Sequence, residues 1–385
     1  MAKPNRGPFV LAAGAVTQLL TGLPAAWGVF QKPVMQGYGL SRGHAMLAFA
    51  VLVAAYGVGC AIGGQWQDRR GPRAAGLCGT ALLAGAFALA ACVPPGAPLL
   101  FLLGYSLPAG LGSAFLAPAV LACAQKWYAD KKGWATGVTG VAMGLSGAFF
   151  TLWVRGVGGW LGIRACFAGL AVLVAVLCGG GAALLQDPPQ PKQNGKPPAG
   201  LSPKQMLRTP QYRLCAAAIA LAAPPVLLFS PEILSLAAER GVPEQVAAYS
   251  VAFGAAASAA GRLLCPAISD KLGRKTVLYG IYAGLAAGSV WFAFAQSGWV
   301  LAAYAVLTFC YSGGAAVQPA WNTDLFGLAH AGVNYGFLAL GMSAGSLLSY
   351  AGSQLLGQGA RHWLAAGCAV AGAVCVAFVK PVQRD

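Results

Sequence analysis

The sequence predicts an all-α integral membrane protein whose twelve transmembrane helices form two pseudo-symmetric six-helix bundles, and three observations predict it. Apolar residues make up 58% of the 385-residue chain and charged residues only 9%, against roughly 25% charge in a soluble domain. Apolar runs of about twenty residues recur along the whole chain, each long enough at about 1.5 Å per residue to cross a hydrocarbon core of about 30 Å. One short polar loop is written twice: Gly64-Gln65-Trp66-Gln67-Asp68-Arg69-Arg70-Gly71-Pro72-Arg73, and Pro266-Ala267-Ile268-Ser269-Asp270-Lys271-Leu272-Gly273-Arg274-Lys275. The copies divide the chain into related halves, residues 1–185 and 212–385, joined by a linker at 186–211.

Span 1 (9–30) follows Lys3 and Arg6 as a signal peptide would. Its apolar run exceeds the roughly 7–15 residues of a signal core and no small-x-small cleavage site follows, so it is read as a mature helix. Span 2 (44–66) leads into the first copy of the loop, span 3 (75–93) leaves it, and spans 4 (98–124), 5 (134–154) and 6 (160–185) complete the half. In lipid, helices associate by close backbone approach, so Gly57-x-x-Cys60-x-x-Gly63 and Gly140-x-x-x-Gly144 mark contact faces. Gln186 to Gln211, rich in Pro, Lys, Gln and Gly, is too polar for a bilayer and reads as a cytoplasmic tether. The second half carries spans 7 (212–237), 8 (245–268), 9 (276–296), 10 (299–321), 11 (333–356) and 12 (362–379). Pro24, Pro118, Pro224, Pro225, Pro231 and Pro319 fall within spans, where they kink helices. The Pro224-Pro225 pair makes span 7 the candidate gate helix.

With the N-terminus inside, eighteen Lys and Arg lie on the cytoplasmic side: Lys3, Arg6, Arg69, Arg70, Arg73, Lys126, Lys131, Lys132, Lys192, Lys196, Lys204, Arg208, Arg213, Lys271, Arg274, Lys275, Lys380 and Arg384. Six lie outside: Lys32, Arg42, Arg155, Arg164, Arg240 and Arg361. That bias places both termini in the cytoplasm, and the expected location is a bacterial inner membrane. The net charge of +16 is therefore loop charge facing the bilayer rather than a nucleic-acid surface. The chain is taken as a monomer whose partners are the lipid bilayer and a small organic anion.

Little in the chain suggests covalent chemistry. The eleven cysteines are scattered through apolar spans without C-x-x-C pairs, and His44, His330 and His362 stand near predicted helix ends, so no metal site is expected. No phosphate-binding G-x-x-x-x-G-K-[ST] loop occurs, nor a nucleophile with its base or a carboxylate pair; neither an enzyme nor a cofactor is expected.

Arg262 is the one basic residue deep inside a span. Eight residues before Asp270, it lies about 12 Å above the loop, near the bilayer centre. A charge there costs about 2.5–3.5 kcal/mol or more, so it must face protein or a watery cavity and requires an anion. Either helix carbonyls or Glu232, the only acid placed to reach inward, satisfy it, or a substrate carboxylate is its counter-ion, held by the guanidinium fork.

The loop pattern resembles that of the major facilitator superfamily, matched at Gly64, Asp68, Arg69, Gly71 and Arg73 and again at Asp270, Lys271, Gly273, Arg274 and Lys275. The resemblance implies two bundles rocking about a midplane site, with these loops latching the cytoplasmic side. Within that superfamily the chain is similar to the oxalate:formate antiporter and monocarboxylate transporter branch. The similar segments are Ala26-Trp27-Gly28-Val29-Phe30, Lys126-Trp127-Tyr128-Ala129-Asp130-Lys131-Lys132-Gly133, Thr209-Pro210-Gln211-Tyr212, Gly261-Arg262, Cys310-Tyr311-Ser312-Gly313-Gly314, Thr323-Asp324-Leu325-Phe326-Gly327 and Asn334-Tyr335-Gly336.

The resemblance implies a site around Arg262, Tyr311, Met342, Met143, Ala117, Ala25 and Trp27, with Trp27 open to a packing reading as well. Met342 stands where the oxalate transporter has a second cation, and Ala25, Ala117 and Met143 stand where it has tyrosines. One fixed charge in a wider, more apolar cavity suits a monocarboxylate such as lactate, pyruvate or formate. Ser258 takes the place of an aspartate found in proton-coupled carriers, which leaves exchange and proton symport both open. The alternatives are an oxalate/formate-type dicarboxylate antiporter, a drug exporter and a transport-inactive carboxylate sensor.

Overall fold

The computed structural model describes residues 7–128, 132–188, 200–327 and 329–381. The linker lysines Lys192 and Lys196, the loop residues Ala129, Asp130 and Lys131, and the terminal residues Lys3, Arg6, Arg384 and Asp385 lie outside them. Among the described residues, eight helices are long and apolar enough to cross a membrane, or nine if Gly7–Thr21 and Leu23–Tyr38, bent by 40° at Gly22, are one broken span. Twelve crossings are expected from the sequence, and the difference is geometric. Arg42–Cys92 and Trp134–Leu184 each run 51 residues, or about 76 Å, more than twice a hydrocarbon core of about 30 Å. Each turns at a glycine with positive φ, Gly71 at 82° and Gly162 at 80°, a conformation that side chains disfavour. Each is thus two crossings. The helix Ala331–Leu355, 25 residues long, is the remaining one; Asn334 and a row of serines dilute its hydropathy.

Local chemistry sets the helix ends. Ser41 caps the helix of span 2 by accepting from the His44 N–H at 3.2 Å, and Thr209 does the same for span 7 through the Tyr212 N–H at 3.2 Å, with Pro210 in the first turn. Span 7 is broken as its prolines require: helix Pro210–Leu221, a turn of helix Pro224–Leu227, a tight turn Ser230–Glu232, and helix Ile233–Glu239. Within the expected tether at 186–211, the described C-terminal part is docked. Ser202 and Gln205 form a capping box on the helix Pro203–Arg208, the Leu201 N–H donates to the Phe326 carbonyl, Asn334 donates to the Leu201 carbonyl, and Met206 is fully buried.

Two glycine-lined seams join the halves. Along the first, span 2 meets span 11: Gly57 lies against Ser343 and the Ala339 carbonyl, Gly336 against the Cys60–Ala61 backbone, and Gly64 against the Gly332 carbonyl. Ser343 and Ser346 donate across it to the carbonyls of Ala54 and Ala50 at 2.7 and 2.9 Å. Along the second, span 5 meets span 8: a Cβ on Gly144 would fall 2.5 Å from the Ala259 Cα, and Gly140 faces the Arg262 Cβ. Each half also has an aromatic core. In the first, Trp27, Phe30, Tyr38, Phe87, Phe101, Tyr105, Phe150 and Phe167 are fully buried; in the second, His362 stacks on Phe229 with ring centroids 4.7 Å apart.

Gly144→Leu is expected to force the second seam apart, costing about 1–3 kcal/mol or more and lowering the thermal unfolding temperature in detergent. Gly280→Leu, at a position with nothing within 4 Å of a new Cβ, leaves that temperature unchanged or slightly raised.

Candidate functional site

Arg262 lies on the helix Ser250–Leu272, which small residues press against span 10. Gly261 admits the Phe309 carbonyl, Gly313 admits the Cys265 side chain, and Ser258 Oγ donates to Ser312 Oγ at 2.7 Å. The opposite flank of the helix is the seam with span 5, so the guanidinium is confined where the halves meet. Its Nε is shut off from solvent and has no hydrogen-bond partner, and no described carboxylate pairs with it. Tyr56 on span 2, Tyr335 on span 11 and Tyr311 on span 10 lie within electrostatic range of it. Tyrosines from three helices, two of them across the seam from each other, thus lie near a cation with which no described carboxylate pairs.

The other expected site residues divide into two groups. Tyr311 and Met342 line a cavity of about 20 Å³ with Tyr282, Cys310 and Gln318, and Met342 also packs with Tyr56 on the cluster of Cys60, Ala114 and Ala339. Arg262, Tyr311 and Met342 are therefore linked through Tyr56 and Tyr311. Ala25, Ala117 and Met143 lie in the first half. The Ala117 carbonyl accepts from Gln18 Nε2 at 3.0 Å, the Ala25 carbonyl faces Gly147, and the Met143 carbonyl faces Gly22. Trp27 is fully buried and stacked between Phe49 and Tyr105 at 6.4 and 5.9 Å, the surroundings of a packing residue.

Tyr56 and Tyr335 were not among the expected site residues. The duplication contains a signal for Tyr56: eight residues before each loop aspartate stand Cys60 and Arg262, and one turn earlier stand Tyr56 and Ser258. Tyr56 and Cys60 thus occupy, in the first half, the places of Ser258 and Arg262 in the second. Tyr335 sits in the quoted Asn334-Tyr335-Gly336 segment, where only the facing geometry reveals its role.

Glu232 is not the counter-ion of Arg262. It forms a fork with Arg42, Oε1 accepting from Arg42 Nε and Oε2, at 2.6 Å, from Nη2, and Arg361 Nη1 stands 3.8 Å from the same Oε2. The bond to Glu232 raises the Arg42 pKa above that of an ordinary arginine. His362 is bonded to the Gln358 carbonyl and to Arg240 Nη2.

The two loop copies share a backbone device but differ in what they hold. Gly71 and Gly273 occupy matching places with φ of 82° and 86°. In the first copy Asp68 lies beside Gly332, over the first turn of the helix Ala331–Leu355 in the other half, where the helix dipole favours an anion. Arg70 covers the Trp66 ring at 5.1 Å, while Arg69 and Arg73 are exposed. The second copy ties its own half together: Arg274 pairs with Asp270 and, at 3.4 Å, with Asp324, and Lys275 donates to the carbonyls of Ala377 and Val379 at the end of span 12. Lys271 is exposed.

A family model described as Major Facilitator Superfamily matches residues 10–350 and again 218–384. The chain is 26% identical over 341 residues to a protein of Oxalobacter formigenes named oxalate:formate antiporter, covering 86% of this chain and 80% of the relative. It is 28% identical over 389 residues to an uncharacterized 38 kDa protein encoded in the 23S RNA operon of Thermoproteus tenax, covering 98% and 96%. It is 24% identical over 349 residues to the uncharacterized MFS-type transporter YhjX of Escherichia coli K12, covering 88% and 85%.

Trp27→Phe keeps the ring stack and removes an unpaired buried N–H; it is expected to change unfolding stability by less than about 1 kcal/mol. Trp27→Ala empties the site and costs about 3–5 kcal/mol. Chemical or thermal unfolding of the purified protein checks both.

Proposed function

Because the chain belongs to the Major Facilitator Superfamily, we propose that it is a secondary transporter that carries small organic anions across the membrane by alternating access, with Arg262 as the anchor for the substrate's carboxylate. The observation that carries this reading is the unpaired Nε of Arg262, buried in the seam between the halves, where Gly140 faces its Cβ and no described carboxylate pairs with it. A guanidinium in low dielectric requires an anion, and a carboxylate matches its fork. Tyr56, Tyr311 and Tyr335 supply hydroxyls to orient that carboxylate. Met342 supplies the apolar wall for a carbon tail.

On this reading residues 1–185 and 212–385 are the two rocking bundles, both termini face the cytoplasm of a bacterial inner membrane, and the carrier works as a monomer. The loops at Gly64, Asp68, Arg69, Gly71 and Arg73, and at Asp270, Lys271, Gly273, Arg274 and Lys275, latch the cytoplasmic side, with Asp68 reaching across to span 11. The substrate class is a short monocarboxylate such as lactate, pyruvate or formate, because one fixed cation faces the seam. Coupling runs by exchange or with a proton; Ser258, bonded to Ser312, offers no carboxylate for the latter. A second reading, exchange of oxalate for formate, is favoured by the name of the Oxalobacter formigenes relative.

Uptake of labelled lactate into proteoliposomes preloaded with unlabelled lactate separates the two. Arg262→Gln is expected to lower uptake at least about 30-fold, the equivalent of losing about 2 kcal/mol of a desolvated charge pair. Lactate, pyruvate and formate compete in the wild type and oxalate does not. Met342→Lys, which adds a second cation beside Tyr311, shifts competition toward oxalate. Best competition by oxalate in the wild type selects the second reading, and no uptake of any carboxylate removes both.

A further inference from the structure

We propose that Arg42, Glu232 and Arg361 form a two-position ionic switch at the end of the molecule opposite the duplicated loops, in which Glu232 holds Arg42 of the other half when that end is shut and passes to Arg361 when it opens. The inference rests on the alternating-access reading above. It adds a device that sets which side is open.

Three features of the cluster support it. Glu232 is 7% exposed at its side chain, so neither partner can leave it without the other taking over; a buried carboxylate stripped of both cations is costly. Its two cations belong to different bodies. Arg42 begins the helix of span 2 and is 55% exposed, free to follow the first half into water. Arg361 is pinned to the second half, donating through Nε to the Leu356 carbonyl at 3.0 Å and through Nη2 to the Ser353 carbonyl at 2.6 Å. It waits 3.8 Å from Glu232 Oε2. Finally, Glu232 ends the tight turn Ser230–Glu232 of the broken span 7, where a small backbone rotation redirects the side chain without bending a continuous helix.

The surrounding contacts put the switch on a closing surface. Gly28 of span 1 approaches the Ser230 carbonyl so closely that a Cβ would stand 2.6 Å from it, and the Arg155 guanidinium covers the Tyr249 ring at 4.5 Å. Both contacts join the two halves at the same end. A bundle that parts there separates Arg42 from Glu232 and leaves Arg361 in place.

Hydrogen–deuterium exchange of the purified, substrate-free protein tests the switch. Peptides covering 38–46 and 228–236 report its end, and peptides covering 64–73 and 266–275 report the opposite one. Arg42→Gln and Glu232→Gln are expected to speed exchange at the switch end at least about threefold, the scale of one partly exposed pair. Arg361→Gln removes the waiting partner, so exchange there slows. Arg361→Lys, which keeps a donor for the Ser353 and Leu356 carbonyls, guards against a folding defect and is expected to fall between Arg361→Gln and the wild type. Exchange that is unchanged in Arg42→Gln, or faster in both Arg361 variants as in Arg42→Gln, makes the cluster a static staple and overturns the proposal. Because no substrate is present, a failed carboxylate uptake leaves this result standing, and flat exchange beside normal uptake removes the switch alone.

Discussion

The cost of holding one guanidinium in a medium that cannot solvate it is the constraint around which the proposed site is built. A charge near the bilayer centre is tolerated only where protein or water answers it, and Arg262 has tyrosines of three other helices near it and no described carboxylate as a partner. Phenols stabilise a cation weakly compared with a carboxylate, and the proposed substrate carboxylate would supply the missing anion. Ser258 and Ser312, bonded to each other one turn away, keep the backbone beneath it from moving independently of span 10.

Everything around that cation depends on helices coming closer than side chains normally permit. Gly57, Gly336, Gly140 and Gly144 let backbones meet along two seams, and the glycines leave those seams without interlocking side chains. Such surfaces hold by dispersion and a few hydroxyl bonds, which suits the parting and re-forming that the proposed alternating access requires. Charge is kept to the rims: Arg42, Glu232 and Arg361 at one end, and Asp68 over the first turn of the helix Ala331–Leu355 at the other. An exposed rim charge such as Asp68 can be exchanged for water at little cost, while the buried Glu232 and a charge inside the seam cannot.

The all-α membrane class and the repeated loop were legible because bilayer thickness and the positive-φ glycine leave direct marks in the sequence. Gly71 and Gly273 are written at the same place in both copies and turn the chain in the same way. Arg262 was legible for the same reason, as a charge in the wrong solvent. Its surroundings were less so. Tyr56 and Tyr335 lie about 280 residues apart and come near the cation only through packing of span 2 on span 11, which no local pattern encodes. Trp27 illustrates the opposite case: an aromatic segment shared with a family gave no means of telling a pocket wall from a ring buried between Phe49 and Tyr105. Glu232 was the acid nearest the site along its span, yet the break at Pro224-Pro225 and the turn Ser230–Glu232 direct it to the rim.

Direct binding tests the central claim, that Arg262 is completed by a substrate carboxylate. Calorimetric titration of the purified wild type and Arg262→Gln with lactate at one pH reads it without the complications of flux. The account predicts saturable binding to the wild type and at least about 30-fold weaker binding to the variant, from a lost pair of about 2 kcal/mol. Equal affinity in the two proteins would contradict it.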